Sequence, residues 1–292
     1  MEGSIALRVA DKVQARARRR KTLHTWLWYT VLLLISVVTV VPFLWILVTS
    51  FKGPMDQIVS VPPQLIPRDP TFANYVRVWN QLPVDRFFLN SVLVAVCTVG
   101  LNVLVCSLAA YPLAKMQFRG RDAIFYLLLA TIIVPVQLTY IPSFVLAVKV
   151  FKYYDTLRAV ILPNLASAFN IFLLRQAFRA VPNDLMDAGR IDGASELRIW
   201  WGIVLPVVRP SLATVAIFTF VNSWNDFFWP SLMLHTRERM TLPVGLMALQ
   251  GMFTSDFRGI AAGVTMVVIP ILIFFIALQR HFIEGLTGAV KG

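Results

Sequence analysis

The sequence predicts an all-α membrane protein with six crossing helices and two short helices outside the bilayer. Three observations predict it. Of its residues, 58% are hydrophobic and 14% charged, against about 45–50% and about 25% in soluble domains. Uncharged runs long enough to cross hydrocarbon, which needs about 20 helical residues, recur along the chain. Basic residues sit in short blocks between those runs. Lipid offers no partners to unpaired backbone groups, so the runs are helices; a β-barrel would show alternating segments of roughly ten residues instead. The net charge of +12 could suit nucleic acid. Its distribution in blocks fits cytoplasmic loops and argues for no nucleic acid.

Residues 1–24 form a basic N-terminus with seven Lys or Arg. That density predicts a cytoplasmic start. The first span is Thr25–Ser50, longer than the apolar core of a cleaved signal, about 7–15 residues. Trp26, Trp28 and Tyr29 mark its inner edge, where aromatic rings favour headgroups. The second span is Phe87–Ala114 and the third Ala123–Val148, both uncharged. The fourth, Leu157–Leu174, carries Arg158, Asn164, Ser167 and Asn170 and is the weakest. The fifth, Pro210–Thr236, is interrupted by Asp226. Gly259–Gln279 is the sixth, and Gly259 and Gly263 suit close helix contact. Six spans place both termini on the cytoplasmic side, with 17 of the 27 Lys and Arg. Residues 52–86 form a long outer loop with six prolines, and residues 175–209 a long inner loop. Together, 25–292 read as one six-span domain.

The inner loop carries the densest signal. From Val181 to Pro206 it reads as two short helices around a break. Pro182, Asn183 and Asp184 suit a helix start. Gly193 suits a break or C-terminal cap. Ser195 can cap a second helix, which Pro206 ends. Leu185, Ala188 and Asp192 share one face of the first helix; Ile199, Trp200 and Ile203 share one of the second. Apolar surface on a loop outside the bilayer calls for a partner.

This segment resembles the Glu-Ala-Ala loop of binding-protein-dependent ABC importer permeases. The matching residues are Asp187-Ala188-Gly189, Gly193 and Ile203-Val204-Leu205-Pro206. Ile191-Asp192-Gly193-Ala194 is similar to the carbohydrate branch. Trp224-Asn225-Asp226-Phe227, Thr241 to Leu246, and the tail from Gln279 to Gly292 look like the maltose-type permease. The resemblance implies a type I importer fold whose coupling helices dock into a cleft on an ATPase subunit. Asp187 would anchor the loop, Gly193 would permit the turn, and Leu205-Pro206 would end the second helix. Two departures are Asp for Glu at 187 and Gly for Ala at 189; the latter costs a helix roughly 1 kcal/mol. Implied partners are a second permease subunit, two ATPase subunits and an extracytoplasmic solute-binding protein in a bacterial inner membrane. Implied transport is alternating access for a sugar, glycoside or polyol, with glycerol phosphate or another small polar solute as the rival. The tail would reach between the ATPase subunits, and the loop from Thr236 to Phe257 would meet the binding protein.

No Lys follows a Gly, so the phosphate-cradling Gly-Lys-Ser/Thr turn is missing. ATP and Mg2+ belong on the partner ATPase, and this chain is a non-catalytic subunit with no cofactor of its own. Polar groups within spans tend to face a cavity or another helix. Asn222, Trp224, Asn225 and Asp226 are therefore the candidate substrate path: amides and a carboxylate for hydroxyls, an aromatic face for C–H groups. Helix-to-helix bonding is the competing role for these residues, and for Asn164, Ser167 and Asn170. Cys97 and Cys106 lie on opposite sides of one helix and read as small apolar residues. His24, His235 and His281 have no metal-ligand spacing, and no nucleophile–base–acid set supports an enzyme. A free-standing channel or membrane enzyme is the remote alternative.

Overall fold

The computed structural model describes residues 2–58, 64, 66–252 and 257–290. These residues are helical with connecting turns; one isolated bridge joins Lys52 to Pro70. Helix α1 runs unbroken over Glu2–Ser50, so the basic N-terminus and first apolar run are one helix. Its most apolar stretch, within His24–Ser50, is 0% buried by the rest of the chain. Such a surface needs lipid or another protein as its solvent.

Residues beyond Ser50 fold back as a strap. The Asp56 carboxylate gathers the amides of Gly53, Arg68 and Asp69, and the buried Lys52 ammonium donates to the Gln57 carbonyl at 2.9 Å. The strap ends in α2, Ala73–Gln81, which turns Asn74 and Val78 inward. Helix α3, Val84–Lys115, is the central pillar. Its buried positions Ser91, Val94, Ala95, Thr98, Asn102, Cys106 and Ala110 recur every three or four residues. That stripe faces the helical segments Ala168–Arg179 and Arg209–Asn225.

The run 123–148 is two helices. Arg121–Ile132 (α4) and Val136–Val145 (α5, prolonged by a π turn over Leu146–Val150) meet at 98°. Pro135 lacks an N–H and drives the residue before it out of the helical region. Further on, Pro163 also lacks an N–H, although Leu162 before it stays helical. Leu157–Ile161 (α6) passes through a 3-10 turn, Leu162–Asn164, and bends by 44° into α7, Ala168–Arg179. Helix α7 thus continues past Leu174 into what the sequence assigns to the inner loop.

Next come α8 (Asn183–Ile191), α9 (Glu196–Ile199), a π turn over Trp200–Val204, and α10 (Leu205–Val207). Pro206 deprives the Gly202 carbonyl of its helical donor, and the wide turn surrounds that site. The second helix continues one residue past Pro206 and then bends by 85° into α11, Arg209–Asn225. Helix α11 stops at Asp226, short of Thr236. A separate short helix, α12 (Phe228–Met233), follows. Leu242–Met252 (α13) and Phe257–Val290 (α14) complete the chain. Among the described residues three helices are long and apolar enough to cross a membrane alone, and up to six crossings result if each bent pair counts as one.

Among the described residues the core forms three patches along this frame. One joins α3, α4, α7 and the bent helices through Tyr111, Phe125, Phe178, Met186 and Ile199. A second joins α2, α3, α11, α13 and α14 around Phe87 and Trp224. The third packs Ala159 and Val160 against Trp229 and Met233.

Candidate functional site

Two features stand apart from ordinary packing: an elbow formed by α8 to α10, and a polar cavity beside α3, α5, α7 and α11. The elbow's turn is set by Gly193 at φ +77°, a region that L side chains avoid. The Gly193 amide donates to the Arg190 carbonyl and the Ala194 amide to that of Gly189, a Schellman end to α8. Ser195 then caps α9 by accepting from the Arg198 amide at 3.4 Å. Gly189 is buried: a Cβ there would stand 2.8 Å from Ile203 Cδ1. Glycine at 189 lets the two elbow helices close on each other, with Ile199 and Ile203 against α8.

The other expected coupling residues spread over the elbow's surface. Asp187, Ala188 and Asp192 are exposed, Ala194 and Leu205 half-buried, and Pro206 exposed at the far end. Ile191 is 86% exposed, and Leu197 and Trp201 66% each. The Asp187 carboxylate accepts from Arg190 Nη1 at 2.7 Å, and Arg190 Nε donates to Glu196 Oε1 at 2.8 Å. This guanidinium bridges the two elbow helices. Glu196 and then Asp187 raise the Arg190 pKa. Arg190 first, then the Tyr111 hydroxyl, hold the Glu196 carboxyl below its usual range.

The cavity measures about 800 Å3. Of the expected path residues, Asn222, Asn225 and Asp226 line it. Trp224 does not: it is buried in the second core patch, with its ring against Phe88 and Phe220. Asp226 ends α11, and its carboxylate accepts from the Trp229 amide at 3.4 Å. Asn164, Ser167 and Asn170 line the wall and also tie helices together. Asn102, which sequence reasoning passed over, is the hub. Its side-chain amide donates to the Asn164 carbonyl at 2.8 Å, and its oxygen accepts from Asn170 at 2.8 Å. An amide in the middle of an uncharged span was the signal that could have found it. Tyr140 and Trp229 add a stacked aromatic pair, ring centroids 6.0 Å apart.

Among the described residues no three His, Cys, Asp or Glu gather as metal ligands. Cys97 and Cys106 are free thiols. The side chains of the tail from Gln279 lie outside the described residues, as do residues 253–256 of the loop before α14.

Residues 102–287 match the family of binding-protein-dependent transport system inner membrane components, and the chain belongs to that family. It is an inner-membrane permease component with the all-helical type I importer fold. An arabinooligosaccharides transport permease of Halalkalibacterium halodurans is 36% identical over 279 residues, covering 94% of this chain and 99% of the relative. A diacetylchitobiose uptake permease of Streptomyces coelicolor is 35% identical over 257 residues, covering 87% and 84%. The fold is similar to a chain in the crystal structure of a bacterial ABC transporter involved in the import of the acidic polysaccharide alginate. There the TM-score is 0.77 at 22% identity, covering 90% of this chain and 98% of that one.

Proposed function

We propose that this chain is one of two permease subunits in an ATP-driven importer of a sugar, glycoside or polyol. The elbow carries the reading. Its apolar residues Ile191, Leu197 and Trp201 are exposed outside the crossing helices. A rigid bend with apolar projections suits a cleft on a separate ATPase chain. Asp187, Ala188, Gly189, Asp192, Gly193, Ala194, Leu205 and Pro206 form the coupling segment, on the cytoplasmic side with both termini. ATP and Mg2+ bind on two ATPase subunits, and this subunit performs no catalysis. A solute-binding protein delivers cargo on the opposite side.

The cavity is the solute path of this subunit. Amides, hydroxyls and the Tyr140–Trp229 pair suit a polyol. Its walls carry Asp226 and no Lys, Arg or His, which disfavours an anionic solute such as glycerol phosphate. The names of the relatives point to oligosaccharides.

Leu197→Asp tests the docking. The variant is expected in the membrane at wild-type level, with ATPase co-purification reduced about tenfold or more, as for a lost interface anchor. Unchanged co-purification contradicts the reading.

A further inference from the structure

The elbow leads directly into α11 through Val208, so α11 is its obvious lever. The side chains reveal a second connection. Tyr111 lies near the end of α3, is 4% exposed, and donates its hydroxyl to Glu196 Oε2 at 2.6 Å. Glu196 opens α9 and is held on its other oxygen by Arg190 of α8. One helical turn beyond Tyr111, Lys115 Nζ donates to the Val181 carbonyl at 2.5 Å and to Asn183 Oδ1 at 2.8 Å. Residues four apart share a helix face. One face of α3 therefore holds the chain both as it enters α8 and where α9 begins.

We infer that Tyr111 and Glu196 are positioning residues forming a bracket that carries elbow movement into α3. This inference rests on the elbow being the ATPase-docking element. Arg190 and Glu196 pin the angle across Gly193, so α8 and α9 move as one body. A carboxylate held by a charge-assisted bond and by a phenol has a fixed direction, and the Tyr111 ring is locked by an edge contact with Phe178, centroids 6.3 Å apart. Displacing the elbow then displaces the end of α3. The same helix carries Thr98 and Asn102 on the cavity wall, so a shift of α3 changes the cavity directly.

The test uses the assembled importer in proteoliposomes, with Cys97 and Cys106 replaced by Ala. Spin labels are placed at the exposed positions Leu108 of α3 and Ile273 of α14, and MgATP is the probe. The expected result is an ATP-dependent change in the interspin distance distribution that is lost in Tyr111→Phe and in Glu196→Leu. It is retained in Glu196→Gln, which keeps an acceptor for the phenol. ATP hydrolysis continues in all three. The share of complexes that respond is expected to fall about threefold or more, the order of known coupling effects. Adding Tyr111→Phe to Glu196→Leu changes nothing further, because Glu196→Leu has already removed the Tyr111 bond along with the one to Arg190. If Tyr111→Phe fails to accumulate, Glu196→Leu carries the test alone. Full response in the singles, no response in the parent complex, or additive losses overturn the bracket. Loss of ATPase assembly in Glu196→Leu also overturns it, by placing Glu196 in the docking surface. The docking reading itself falls separately, on intact assembly of Leu197→Asp.

Discussion

Asp155 clips two segments together at the end of the molecule away from the elbow. With φ at +56°, it aims its carboxylate at the amides of His235 and Thr236, at 2.8 and 2.9 Å, and at the Thr236 hydroxyl. Arg239 Nη1 adds a bond to the same carboxylate at 3.1 Å. Burial raises the carboxyl pKa, but the Thr236 and His235 bonds and the Arg239 charge outweigh it and hold it at about 2. The group is depressed below its unfolded value, about 3.9, so its stabilisation is present above about pH 4 and lost as pH falls toward 2. Hydrogen exchange at the His235 and Thr236 amides is expected to be slow at neutral pH and fast in Asp155→Asn. Equal exchange in the two proteins at neutral pH would remove the clip. Glycines 189 and 193 show what a single residue type conveys. Gly193 reads correctly as a break, because only a left-handed turn needs it. Gly189 reads as a weak helix residue, yet its lack of a Cβ admits Ile203, a tertiary contact with no local signature.

At the scale of elements, apolar run length marks the apolar stretches of the chain and does not show how each one is built. The run 123–148 has no charge, yet it folds as α4 and α5 at 98°. The prolines responsible were visible in it; the angle was not, since packing sets it. The kink between α6 and α7 has a partner that spacing does not reveal. Asn102 of α3 satisfies the Asn164 carbonyl where the helix is interrupted, and Cys106 Sγ accepts from the Ser167 amide at 3.4 Å. Asn102→Ala would leave the Asn164 carbonyl and the Asn170 amide short of partners together. A loss of about 1–3 kcal/mol is expected for such orphaned buried groups, measurable as reduced thermal stability in detergent. An unchanged midpoint would show that water or another helix replaces the amide. The cavity was partly legible for a related reason. Asn222, Asn225 and Asp226 announced themselves as polar groups in a span, whereas Trp224 shares their motif but points into the core. Helical phase separates it from them, and the break at Asp226 obscured that phase.

Across the whole molecule, the exposed apolar surface is the dominant fact. Helix α1 leaves its most apolar stretch uncovered, and Leu272, Ile273 and Ile276 of α14 are also exposed. Lipid or another protein accounts for such faces, and on the proposed reading the elbow's exposed Ile191, Leu197 and Trp201 meet a different neighbour. Composition and charge blocks made the membrane architecture and the elbow's place in the chain readable. The Tyr111–Glu196 bond joins residues 85 apart in sequence and could emerge only from the fold. The most direct measurement of the elbow's role is a photo-crosslinking amino acid at Ile191, activated in membranes containing the complete importer. An adduct with the ATPase subunit is the expected result. Adducts confined to lipid, or labelling of that position from the extracytoplasmic side, would contradict it.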